Sequence, residues 1–247
     1  MARKRNRPGP SPSAARPEQG GLLLTGVDGE TLHVVPPEVA EALRFFVTRT
    51  QTSRWLGDHR TVAVTSALAG EGVSFTARSL AAITAHDLQR SVCLVETNWW
   101  AQSRRRRHDE TPVRRGLAEI MEGGAALDDV LVSTSDPRLA ILPAGETPIA
   151  LRPVLVASDE FAAVLDKIAS RFDTVVLDVP PVLRASEAIT ICDRCEATIL
   201  VVEHGVTPER QVAQALEELE GVDVLGLLFN RTRSKIPRIL RSLTAPI

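Results

Sequence analysis

Two patterns of hydrophobic and polar positions alternate along this 247-residue chain. Short runs of apolar and β-branched residues predict buried strands, and they lie at 61–66, 91–97, 139–145, 173–182, 197–203 and 223–232. Longer segments with apolar residues every three or four positions predict helices at 36–50, 73–89, 115–124, 158–172 and 207–221. Apolar strands separated by helices predict an α/β fold, namely a doubly wound, mainly parallel sheet with helices on both faces.

The two ends of the chain have a different composition. Residues 1–31 begin with a stretch rich in Pro, Gly, Ser and Arg, which predicts a disordered basic tail. An alternative is that this tail is an arm that contacts a partner or an anionic membrane surface. We predict one domain over 32–235 and a short C-terminal tail over 236–247.

Composition narrows the class of protein. The chain is 44% hydrophobic and 24% charged, with a formal net charge of −2, so we expect a globular domain that does not bind nucleic acid. We find no apolar run long enough for a membrane span and no secretory leader. The lone pair Cys192 and Cys195 predicts reduced thiols rather than a zinc site. We therefore expect a cytoplasmic protein.

A glycine-containing turn joins the first long strand to its helix and resembles a phosphate-binding loop. The stretch reads Ala67-Leu-Ala-Gly-Glu-Gly-Val-Ser74, and Phe75 follows it. In G-x-x-x-x-G-K-[ST], backbone N–H groups hold the phosphates, the lysine reaches the terminal oxygens and the hydroxyl binds magnesium. Gly70, Glu71, Gly72 and Ser74 fit that pattern, whereas Val73 stands at the lysine position. If that lysine acts like one hydrogen-bond donor to a transition-state oxyanion, its loss raises the barrier by an amount on the order of 3 kcal/mol, which is roughly a hundredfold in rate. The alternative is an ordinary strand-to-helix turn.

Other polar residues end neighbouring strands. Asp178 ends a buried strand, where such proteins hold magnesium, and Glu96 and Asn98 end another. Asn230 and Arg231 follow the last strand, where an amide could pair with an adenine edge. Ligands bind at the carboxyl ends of parallel strands. We therefore predict a nucleotide site formed by residues 70–75 (Gly70 to Phe75), Asn230 and Arg231. Ser74, Glu96 and Asp178 are the predicted magnesium ligands, and Asp178 is the catalytic candidate.

Two further features allow more than one interpretation. Trp99 and Trp100 either anchor a partner or cover the core, and we favour the core. The basic run Ser-Arg-Arg-Arg-Arg at 103–107 is interpreted as part of a solvated loop, with an anion or partner patch as the alternative.

Taken together, these motifs resemble the cytosolic kinase domains of capsule and exopolysaccharide synthesis, the bacterial tyrosine kinases of the CpsD/CapB type. These kinases belong to the wider MinD/ParA-like group of P-loop proteins. The resemblance runs from about Pro37 to Arg231 and includes the loop, "CLVETN", "VVLDVPPV" and "VLGLLFNR". It also includes the helix "PEVAEALR", where Glu41 and Arg44 match a ring-forming motif whose second arginine is Val47 here.

The resemblance implies ATP and magnesium as ligands, assembly into homo-oligomers, and a transmembrane chain-length regulator (a polysaccharide co-polymerase) as partner. It also implies recruitment to the inner face of the cell membrane. The departures fall on the chemistry, because the loop lysine is Val73, the two aspartates of an extra metal-site motif are Glu96 and Asn98, and the sequence has no tyrosine.

These departures predict a pseudokinase that regulates or scaffolds polysaccharide synthesis and export. One alternative is an active kinase or ATPase that acts in trans, with Arg78 supplying the missing cation. The other is a positioning ATPase of the MinD/ParA type.

Overall fold

The structure is a computed structural model, which describes residues 20–27, 29–52, 59–99 and 114–232. Several regions singled out in the sequence lie outside the described residues: the first part of the predicted N-terminal tail, Trp100, the basic run at 103–107 and the predicted tail at 236–247.

The strands and helices follow the predicted alternation. The strands are β1 Leu22–Thr25, β2 Thr31–Val35, β3 Thr61–Ser66, β4 Val92–Glu96, β5 Val132–Ser133, β6 Leu139–Leu142, β7 Thr174–Asp178, β8 Ala197–Glu203 and β9 Val224–Asn230. The α-helices are α1 Pro37–Thr52, α2 Val73–Leu88, α3 Leu117–Met121, α4 Leu127–Val130, α5 Arg152–Ala157, α6 Asp159–Ala169, α7 Glu187–Asp193 and α8 Glu209–Glu218. A short 3₁₀ helix, Ile149–Leu151, leads into α5.

The larger sheet has the strand order β5-β6-β4-β7-β3-β8-β9. Every neighbouring pair in it is parallel except β5 and β6. Helices cover both faces, since one apolar cluster contains Leu177 with residues of α6 to α8 and the other contains Val176 with residues of α1 and α2. Successive residues of β7 thus enter opposite clusters, as expected for a strand buried on both sides. The predicted α/β fold is confirmed.

Local sequence signals account for some helix boundaries. Ser158 caps α6, because its hydroxyl oxygen accepts a hydrogen bond from the Phe161 backbone N–H at 3.2 Å. Acidic Asp159 and Glu160 occupy the first turn of that helix, where they favour its dipole.

The first strand of the structure, β1, begins before the predicted domain boundary at residue 32. Strands β1 and β2 form an antiparallel hairpin, and β1 lies within the segment 1–31 that the sequence assigned to the tail. Leu24 of β1 and Val35 of β2 are buried in the cluster that α1 and α2 share. Two short strands without a long apolar run carry a weak sequence signal, and burial against the helices makes them part of the fold.

His33 of β2 fixes the hairpin to α2. Its Nε2 atom and the Ser79 hydroxyl are joined by a buried hydrogen bond of 2.8 Å, and its ring lies edge-on to Phe75, with ring centroids 5.0 Å apart. Burial, helped by the positive charge of Arg78, lowers the pKa of His33 to about 4. The imidazole is therefore neutral at physiological pH.

We expect His33 to lower the free energy of unfolding as the pH falls from about 6.5 to 4, because the unfolded chain binds the His33 proton in that range and the folded chain does not. The buried carboxyl of Asp178 acts in the opposite direction over part of this range, so the effect of His33 is the difference between the pH profiles of wild type and His33→Gln. The full loss from this residue is about 3 kcal/mol. Chemical denaturation at a series of pH values measures it. His33→Gln should remove this part of the pH dependence, whereas exposed His86→Gln should keep it. An unchanged pH profile in His33→Gln would contradict the assignment.

Candidate functional site

The loop between β3 and α2 has the backbone shape of a phosphate-binding loop. Gly70 and Gly72 both adopt positive φ angles, 97° and 93°, in the left-handed region that favours glycine. Gly72 also needs its missing side chain, because a Cβ atom there would lie 2.1 Å from Nδ2 of Asn230. Helix α2 begins immediately afterwards, so N–H groups without intrahelical partners point out of its first turn. This geometry fits a phosphate group.

Glu71 holds the loop together from within. Its carboxylate is buried and accepts a hydrogen bond from the Leu68 backbone N–H at 2.6 Å. The same carboxylate accepts hydrogen bonds from the hydroxyl of Thr207 and from the Glu203 backbone N–H, the latter at 3.3 Å. The predicted ligand-binding residue Glu71 therefore supports the loop and ties it to the end of β8.

Val73 and Ser74 turn to different surroundings. Val73 is buried and belongs to the apolar cluster beneath α2, so the position of the loop lysine offers neither a charge nor a donor. Ser74 makes a side-chain hydrogen bond with Asp178. The loop thus keeps its shape and its hydroxyl, while its positive charge is absent.

The parallel register brings the two predicted carboxylates together. Glu96 at the end of β4 and Asp178 at the end of β7 are cross-strand partners, and Asp178 also lies beside Val64 of β3. The main chain of Asp178 is fixed by Thr97, whose backbone N–H and hydroxyl both donate to the Asp178 carbonyl, at 3.1 and 2.8 Å. Asn98 donates its amide to Oδ1 of Asp178 at 3.5 Å.

Asp178 is buried, and desolvation raises the pKa of its carboxyl to about 6. The hydrogen bond from Ser74 opposes that shift, whereas the negative charge of Glu96 adds to it. At neutral pH the ionised Asp178 carboxylate therefore lowers the free energy of unfolding. Such perturbed groups occur preferentially at functional sites.

Arg78 supplies the positive charge at this end of the sheet. Its guanidinium donates to Oε1 of Glu96 at 2.5 Å, and both side chains are mostly buried, with exposed fractions of 18% and 17%. The guanidinium of Arg78 therefore contacts the Glu96 carboxylate rather than the phosphate loop. Within the described part of the chain, no group of three or more His, Cys, Asp or Glu side chains is arranged as it would be around a metal ion. The magnesium ligation predicted for Ser74, Glu96 and Asp178 stays a prediction, and the ion pair competes with it.

Asn230 and Arg231 reach the site from the end of β9. The Asn230 amide donates to the Glu71 carbonyl at 2.8 Å and its oxygen accepts from the Arg231 backbone N–H, also at 2.8 Å. Arg231 pairs with Glu203 at 2.7 Å between Nη1 and Oε2. These contacts tie β9 to the phosphate loop, and the proposed contact of Asn230 with an adenine edge stays a prediction.

The remaining predicted residues lie away from the loop. Trp99 is buried, and its indole N–H donates to the Ala144 carbonyl at 3.2 Å, which confirms that it covers the core. On α1, Arg44 pairs with Asp87 of α2 at 2.7 Å within the same chain, while Glu41 is exposed. Sequence reasoning missed the supporting contacts of Thr97 and Thr207, because lone threonines carry no motif.

Comparison with known proteins follows the same lines. No protein-family model matches the chain. It is 28% identical over 181 residues to the tyrosine-protein kinase CpsD of Streptococcus agalactiae serotype III, covering 72% of this chain and 77% of that protein. It is 30% identical over 179 residues to the succinoglycan biosynthesis transport protein ExoP of Rhizobium meliloti, which is 71% of this chain but 22% of that protein.

Solved structures agree with this relationship. The BceF tyrosine kinase domain is 29% identical and superimposes with a TM-score of 0.64, covering 77% of this chain and 76% of that one. The VpsO kinase domain, 24% identical, superimposes with a TM-score of 0.68 over 79% of this chain and 96% of that one, a likeness of fold.

Sheet order, loop geometry and strand-end carboxylates together define the class as a P-loop NTPase-like α/β protein. Within that class, the chain is a relative of the bacterial tyrosine kinases of capsule and exopolysaccharide synthesis, which confirms the resemblance seen in the sequence.

We expect Gly72→Ala to destabilise the protein more than Gly70→Ala. Both changes force an alanine into the left-handed region at a cost of about 1–2 kcal/mol, but only the first brings a Cβ atom against Asn230. Gly70→Ala is the matched control, because nothing lies within 4 Å of its Cβ position. Thermal or chemical unfolding measures the difference, and equal losses would show that the contact with Asn230 does not constrain the loop.

Asp178→Asn should raise the free energy of unfolding by about 1–3 kcal/mol at a pH of about 7.5, because the buried carboxylate costs stability there. Because the pKa of Asp178 is raised in the folded protein, the loss of stability caused by its ionisation is complete above about pH 6 and disappears as the pH falls toward 4. The exposed Asp166→Asn is the control. A loss of stability in Asp178→Asn at neutral pH would contradict the assignment.

Proposed function

We propose that this chain is a catalytically impaired relative of the bacterial tyrosine kinases, and that it regulates or scaffolds polysaccharide synthesis and export. The observation that carries the proposal is Val73, a buried apolar side chain at the position of the loop lysine. Phosphoryl transfer depends on positive charge held against the transferring phosphate. Among the described residues the only lysine is Lys167, which belongs to α6 rather than to the loop or α2.

The rest of the site supports binding without transfer. The two glycines and the start of α2 preserve a backbone arrangement that suits ATP or ADP phosphates. Arg78, the cation invoked for an active enzyme, is engaged with Glu96. The 247 residues contain no tyrosine, so copies of this sequence offer each other no tyrosine to phosphorylate.

A partner completes the proposal. The related ExoP carries its matching segment as 22% of its length and is named as a transport protein. We propose that the present chain works beside a membrane-bound co-polymerase of the polysaccharide pathway, at the inner face of the cell membrane, in assemblies of several copies. Within the described residues, none of the helices has the length and apolar character needed to span a membrane.

Val73→Lys should bind ATP and ADP about 10- to 100-fold more tightly than wild type, because a charge-assisted contact with phosphate contributes about 1.5–3 kcal/mol. Lysine can extend its stem along the apolar surface and place its ammonium group at the loop. Calorimetry of both proteins measures the affinities, and Val73→Met controls for side-chain length. Equal affinity in wild type and Val73→Lys would show that the lost lysine does not limit binding.

A genetic complementation experiment tests the scaffolding role. In a strain that lacks this chain, Asp178→Ala should restore polysaccharide production as fully as wild type, because the proposed role needs no phosphoryl transfer. The amount and length distribution of the polysaccharide are the readout, with the protein level checked in each strain. Failure of Asp178→Ala at a normal protein level would favour the active kinase or ATPase instead.

A further inference from the structure

Arg78 lies on the face of α2 that meets the carboxyl ends of the strands. Ser74 and Arg78 are four residues apart and therefore neighbours on one helical face. Ser74 bonds Asp178, and Arg78 bonds Glu96 at 2.5 Å. Two side chains one helical turn apart, Ser74 and Arg78, thus each contact one member of the carboxylate pair.

The carboxylate pair needs a counter-charge. Glu96 and Asp178 are direct partners across β4 and β7, and their negative charges repel each other in a site that is largely shielded from water. Proteins satisfy such a pair with a proton, a metal ion or a basic side chain. Here a basic side chain is present in contact with one of the two carboxylates.

The electrostatic effect of Arg78 reaches beyond Glu96. Its charge favours the ionised form of Asp178, which partly offsets the rise in the pKa of that carboxyl caused by burial. It also disfavours protonation of His33 and so lowers the pKa of the imidazole. Because the guanidinium and Glu96 are mostly buried, salt screens this field only weakly.

We propose that the guanidinium of Arg78 takes the place of a divalent cation in this chain, neutralises the pair Glu96 and Asp178, and keeps Mg²⁺ or Mn²⁺ from binding there. A divalent ion would have to displace a hydrogen-bonded guanidinium or share its carboxylates with it, and both are unfavourable. The inference goes beyond the proposed function, since it concerns metal binding by the nucleotide-free protein.

Titration with Mn²⁺, followed by the electron paramagnetic resonance signal of the free ion, tests the proposal on the full chain without nucleotide. Wild type should show no specific Mn²⁺ binding. Arg78→Ala should gain one site that binds Mn²⁺ at least about tenfold more tightly than any site in wild type, since two carboxylates without a positive counter-charge then face the ion. Adding Glu96→Gln to Arg78→Ala should abolish the gain.

Two controls separate charge from packing. Arg78→Lys keeps the positive charge and should bind Mn²⁺ as poorly as wild type. Arg44→Ala removes an arginine of α1 from its ion pair with Asp87 of α2, away from the proposed site, and should leave metal binding unchanged. Thermal unfolding with and without millimolar Mg²⁺ gives a second readout, in which wild type should show no shift.

Specific Mn²⁺ binding by wild type, a Mg²⁺-dependent shift in its melting temperature, or no gain in folded Arg78→Ala would each overturn the proposal. If Arg78→Ala does not fold, the wild-type measurements and Arg78→Gln decide it by the same criteria. These outcomes do not depend on whether the protein transfers phosphate, so they are distinguishable from a failure of the proposed function.

Discussion

Two carboxylates at the ends of adjacent parallel strands impose the main constraint on this protein. A sheet covered by helices on both faces leaves its carboxyl edge as the place where polar side chains can meet. The register of β4 and β7 sets Glu96 beside Asp178, and the surrounding groups compensate for their charge. Arg78 pairs with one carboxylate, Ser74 bonds the other, and Thr97 holds the main chain between them.

The phosphate loop shows a separation between shape and charge. Its shape depends on glycine conformations, on the buried carboxylate of Glu71 and on the amide of Asn230, all of which are satisfied within the chain. Its charge depends on one side chain, and that side chain is Val73. The hydrogen bonds that hold the loop involve Glu71 and Asn230 and no side chain at position 73, so the loop keeps its shape without a charge there. This is why a relative of kinases can keep the architecture while we propose a role without catalysis.

Much of the fold could be predicted, because strands buried on both faces and amphipathic helices leave strong periodic signals. The β3–loop–α2 unit, the carboxyl-end position of Asp178 and the burial of Trp99 followed from the sequence. The β1–β2 hairpin did not, since short strands bury few residues and gain their stability from contact with α2. The partner of Arg78 also could not be predicted, because it depends on a helix and a strand end that are 18 residues apart in the chain.

Release of phosphate from Mg·ATP by the purified chain, followed with γ-labelled nucleotide, tests the central claim most directly. The account predicts that wild type releases no more phosphate than Asp178→Ala, because neither the loop nor α2 offers a free cation to the transferring group. Turnover in wild type that Asp178→Ala abolishes would contradict it and would make this chain an active enzyme.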